Sequence, residues 1–177
     1  MRGRGAAYAL IAAALAAAGG CDTMNQSKTV LFGTGSGLTA KLQPIGSAAT
    51  GNVAFAQFQN SVALNLSIYG LRNGRYRVVI HTSGICTSPN GFAAGPPYSP
   101  PGLTPPLWEQ SRPFVVTGDT STEVSMRLTG VTLDGPNSIL GRSVIVHEGG
   151  EGSLEAVPDV KNNRVACGII GPVQAVF

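Results

Sequence analysis

Residues 61–70, SVALNLSIYG, place Val62, Leu64, Leu66 and Ile68 at every second position. That period puts all four on one face of a strand and would scatter them around a helix. The preceding GNVAFAQFQN alternates in the same way through Val53, Phe55 and Gln57. Around this pair lie further short apolar runs bounded by turn residues: KTVLFGTG, LTAKLQPIG, YRVVIH, PFVVTG, TEVSMRLTGVTL, GRSVIVHE and RVACGIIG. RNGR, residues 72–75, is an Asn-Gly hairpin signal leading into YRVVIH. No stretch holds a helical period. With 24 Gly, 12 Pro and 43% apolar residues, the chain reads as packed but rich in turns, not disordered. Eight or so evenly spaced strands predict an all-β domain, a sandwich or a barrel.

The N-terminus has a different character. MRGRG is a short positive segment, followed by the Ala-rich AAYALIAAALAAAGG ending before Cys21. That is the layout of a bacterial secretory signal, and the run is shorter than the roughly 20 apolar residues a membrane-spanning helix needs. The expected organisation is a signal peptide over 1–20, a tether over 21–29 and a β domain over 30–177. Cys21 after AGG resembles a lipidated cysteine, although Ala18 stands where Leu is usual; plain cleavage would leave a free thiol instead. Lipidation would make the membrane a partner through Cys21, and Asp22 resembles an inner-membrane retention signal of some Gram-negative bacteria. The expected location is the periplasmic side of the cell envelope, with the outer membrane as the other anchor site. Removing Arg2 and Arg4 lowers the net charge from +3 to +1, which leaves no basic patch for nucleic acid.

Three cysteines minus Cys21 leave Cys86 and Cys167, an even pair in an oxidising compartment. A bridge between them closes a loop of about 80 residues and is credited with roughly 4.5 kcal/mol by loop entropy. Two free, buried thiols are the other reading. Two long loops interrupt the β pattern, about 82–113 with eight of the twelve prolines, and 149–163, Gly-rich and acidic. Loops longer than about 15 residues are usually functional or disordered. The chain's two histidines, His81 and His147, each sit where a strand enters one of these loops.

At these residues a family resemblance becomes specific. GLRNGRYRVVIHTSGICTSPNGFAAGPPYSP, GPNSILGRSVIVHEGG and RVACGIIG resemble the signature regions of copper–zinc superoxide dismutases, particularly the bacterial secreted type, over about residues 50–177. The resemblance implies an eight-stranded antiparallel Greek-key β-barrel, and a disulfide from the first long loop to the last strand, the Cys86–Cys167 pair. It also implies four copper-ligand positions, which fall here on Val79, His81, Pro97 (the copper-to-zinc bridging position) and His147. The zinc histidines have no counterpart, since the chain holds only two histidines. Asp119 and Glu109 lie nearby in sequence without matching the zinc aspartate. Arg164 falls on the superoxide-steering position, and a loop-holding role suits its five donors equally.

The departures set the chemical expectation. Valine and proline offer no metal-ligating lone pair, and zinc takes about four N, S or O ligands, so zinc is not expected. Two imidazoles suit linear Cu(I) better than the tetragonal set Cu(II) prefers. Two readings stay open. In one, the chain is a superoxide dismutase-like envelope lipoprotein without effective catalysis. In the other, His81 and His147 hold one copper weakly, as a copper binder or a weak dismutase. Monomer and homodimer both remain possible, and the sequence names no protein partner.

Overall fold

The computed structural model describes residues 37–118, 121–149 and 163–173. The expected signal, tether and Cys21 therefore lie outside the described residues, as do the strand expected over 28–35, Asp119 and most of the second long loop. Among the described residues, nine strands occur: β1 Leu38–Pro44, β2 Thr50–Phe58, β3 Ser61–Tyr69, β4 Gly74–His81, β5 Phe114–Val116, β6 Thr122–Thr129, β7 Ser143–Glu148, β8 Arg164–Ile169 and β9 Gly171–Pro172. Hydrogen bonding orders them β5-β4-β7-β8-β1-β2-β3-β6, with the two-residue β9 on β1. Every pairing between them is antiparallel. The eight longer strands make a nearly closed barrel, one of the two forms their spacing predicts and the one the resemblance implies.

Inward positions follow the period of two. Val53 and Phe55 of β2, and Val62, Leu64, Leu66 and Ile68 of β3, are buried in one cluster with Val78 and Ile80 of β4 and Val144 and Val146 of β7. Gln57 shares the β2 face but reaches the barrel end and stays exposed. There its amide accepts from the Leu133 N–H at 3.0 Å and donates to Gln59 O and Ser61 O, tying the β2–β3 turn to the connection after β6.

The Asn-Gly signal is a correction. β3 pairs with β2 and β6, whereas β4 pairs with β5 and β7, so residues 70–73 cross between non-adjacent strands and form no hairpin. Asn73 instead accepts from the Gly118 N–H at 2.7 Å, pinning the crossover to the end of β5. The tight hairpin lies one connection earlier. Phe58 faces Ser61, and Gln59 takes the left-handed conformation with φ 53 that a two-residue turn demands. Burial on both sides of the crossover outweighs the local turn preference.

The 82–113 loop carries structure of its own: a 3₁₀ turn at Phe92–Ala94 and one helical turn at Leu107–Gln110. Leu107 and Tyr98 anchor it in the barrel core. Gln110 Oε1 accepts from Thr129 N–H at 2.7 Å, covering an otherwise open end of the edge strand β6. A core truncation should far outweigh a polar one: Leu64→Ala is expected to cost about 3 kcal/mol and Gln57→Ala about 1 kcal/mol, as read from the midpoints of urea unfolding curves.

Candidate metal centre

The site sits on the outside of the barrel. Along β4, Val78 and Ile80 enter the core, so Arg77, Val79 and His81 turn to the other face. On β7 the same alternation exposes Ser143, Ile145 and His147 to that face. Register places His81 opposite Ser143, Val79 opposite Ile145 and Arg77 opposite His147. The two histidines therefore flank the Val79–Ile145 rung. The long loop covers this face with a small cluster of Ile45, Ala94, Ile145 and Cys167, with Cys86 packed against it. The Cys86–Cys167 disulfide is formed, with Cα atoms 5.6 Å apart. Gly84 meets the carbonyl of Gly141 so closely that a Cβ would collide with it, which is why the loop can leave β4 flat against the barrel.

Of the four positions that the resemblance assigns to copper, the structure brings the two histidines into contact, and Val79 and Pro97 lie beside them without a donor atom. His81 Nε2 and His147 Nε2 lie 3.0 Å apart, with the rings 18° from parallel. Val79 is 1% exposed on the rung that separates them. Pro97 forms an isolated β-bridge directly opposite His81. Among the described residues, no three His, Cys, Asp or Glu side chains gather where they could hold a metal ion. Glu109 is exposed on the helical turn of the loop.

The outer nitrogens of both rings are fixed. His81 Nδ1 donates to Gly95 O at 2.8 Å, and His147 Nδ1 donates to Asn163 Oδ1 at 3.0 Å. Asn163 is held in turn by donating to Glu148 O at 3.1 Å. Both rings thus carry their proton on Nδ1 and turn an Nε2 lone pair towards the other ring. Lone pairs at this spacing repel unless a cation lies between them, while burial penalises any charge placed there. Burial first, then the neighbouring His147, pushes His81 down to about 3, against the pull of the Gly95 carbonyl. Burial pushes His147 down to about 4, with Arg164 and Arg77 adding to it and Asn163 opposing.

These residues do not fit the family's pair of metals. Among the described residues zinc finds no set of four donors, and a tetragonal Cu(II) site lacks half its nitrogens. The two imidazoles expected from the sequence to suit a linear Cu(I) do converge on each other. Nitrogens on opposite sides of one ion lie roughly 4 Å apart, so the 3.0 Å contact must open before an ion enters.

Arg164 takes up loop carbonyls. Its guanidinium donates to Gly91 O and, at 3.3 Å, to Gly95 O, and lies 4.9 Å from the centre of the Phe92 ring. Gly95 O accepts from Arg164 and His81 together. Sequence reasoning missed Asn163 and Gly95, the two residues that orient the imidazoles. Gly95 acts through its backbone, which no side-chain pattern reports, and Asn163 comes beside His147 only through β7–β8 pairing.

Because both histidines are held neutral, unfolding releases imidazoles that bind protons more readily. Their folded values lie below the free value, so stability should be full above about pH 6.5 and fall as pH drops towards 4. Thermal melts between pH 7.5 and pH 4 should show a falling Tm, and the double variant His81→Gln/His147→Gln should flatten that slope. A Tm that rises on acidification would contradict it.

Comparison with known proteins agrees with this geometry. The family model for copper/zinc superoxide dismutase (SODC) matches residues 49–170. The chain is 33% identical over 140 residues to an extracellular copper–zinc superoxide dismutase of Caenorhabditis elegans, covering 70% of this chain and 62% of that protein. It is 32% identical to an extracellular copper–zinc superoxide dismutase of Brugia pahangi, with 68% of each chain covered. It is 31% identical to a copper–zinc superoxide dismutase of Brassica juncea, covering 68% of this chain and 88% of that one. With a family match across most of its length, the chain belongs to the copper/zinc superoxide dismutase family.

Proposed function

We propose that this protein is an exported, superoxide dismutase-like envelope lipoprotein in which dismutation by a copper–zinc centre is lost or strongly impaired. The observation that carries the reading is the pair of carbon side chains at ligand positions: Val79 buried on the rung between the histidines, and Pro97 bridged to His81. Dismutation needs a metal that cycles between two oxidation states in one ligand set, and two imidazoles do not supply a set suited to both. Export rests on the signal-like residues 1–20, on the disulfide, and on relatives named as extracellular. Anchoring rests on Cys21 and the short tether after it. Mass spectrometry of the mature N-terminus is expected to show a lipid on Cys21, which Cys21→Ser removes.

A second reading has one observation in its favour, the convergence of two Nε2 lone pairs in a buried site. It assigns the protein one weakly held copper on His81 and His147. Purified mature protein, loaded with copper and zinc and then dialysed, should keep at most one copper and no stoichiometric zinc, and should show negligible superoxide removal. Stoichiometric zinc with rapid dismutation would sink the main proposal. His81→Ala separates the two readings: copper lost with the fold intact supports a site, and unchanged copper supports packing alone.

A further inference from the structure

Pro97 does more than withhold a ligand. Thr82 N–H donates to Pro96 O at 3.0 Å, and Tyr98 N–H donates to Ile80 O at 2.8 Å. These two bonds bracket the His81–Pro97 bridge, which makes it the rung of an antiparallel pair where neither residue bonds the other through its backbone. A proline lacks the N–H that a bonded rung requires, and at this rung nothing is asked of it. The loop also bonds to itself one step on, from Ser83 N–H to Ala94 O at 2.9 Å. Residues 94–98 thus run back along the extension of β4 as a short added strand.

This segment is fastened from both ends. Tyr98 is buried in the main core, with the Arg142 guanidinium 3.4 Å over its ring. Arg142 also donates to Thr82 O at 3.1 Å and to Ser138 O at 2.9 Å. At the other end, Arg164 takes Gly91 O and Gly95 O, and the disulfide fixes Cys86 to β8.

We infer that this backbone latch replaces the metal bridge: residues 94–98 hold their place over His81 without any ion. The inference rests on Pro97 occupying the bridging position, as the proposed function does, and not on the loss of activity.

Amide hydrogen exchange on the disulfide-intact mature domain tests it, comparing chelator-treated protein with protein loaded with copper and zinc. The Thr82 and Tyr98 amides should be protected at least about 100-fold over unstructured peptide in the chelated sample. Metal addition should then change either amide by less than about tenfold. Protection below the first threshold, or a larger gain on metal addition, overturns the latch. A superoxide assay on the same samples keeps the two ideas apart, since a latched yet active protein would defeat the proposed function and leave the latch standing.

Discussion

The antiparallel pairing of β4 with β7 carries both the barrel and the candidate site. The same six rungs send Val78, Ile80, Val144 and Val146 inward and present Val79, His81, Ile145 and His147 outward. Because side chains alternate strictly, a slip of one residue would exchange the two sets. It would bury imidazoles in the core and leave valines under the loop. Core burial therefore fixes the register, and the register places the histidines.

Much of this was legible in the sequence. The period of two through Val62, Leu64, Leu66 and Ile68 gave the strand and its buried face without reference to any relative. Counting cysteines reached the Cys86–Cys167 bridge before any structural argument. His81 and His147 stood out because strand and loop composition change beside each of them. What stayed hidden was non-local. The Asn73–Gly74 step has the chemistry of a hairpin, yet its flanking strands find better partners elsewhere in the sheet. Gln57 keeps to the alternation and still escapes burial, because the barrel ends before its side chain does. Asn163 and Gly95 act on the imidazoles from segments distant in sequence.

Family membership and ligand chemistry point in different directions here. The barrel and the family match stand beside only two histidines, His81 and His147, at the four positions that the resemblance assigns to copper. Arg164 has structural work of its own. Its hydrogen bonds to Gly91 and Gly95 carbonyls hold the loop whether or not an anion ever approaches. Structural work of this kind accounts for an arginine at this position whether or not the protein removes superoxide.

The oxygen of Gly95 serves His81 and Arg164 at once, so the two side chains share one acceptor. Replacing Arg164 would alter the electron density and position of that oxygen, and His81 would register the change through its Nδ1 proton. Spectroscopic or metal-affinity changes in an Arg164 variant would therefore look like direct participation in the site. In this protein, mutational sensitivity at Arg164 would report the shared Gly95 carbonyl and the guanidinium charge beside both histidines, with or without any attraction for superoxide.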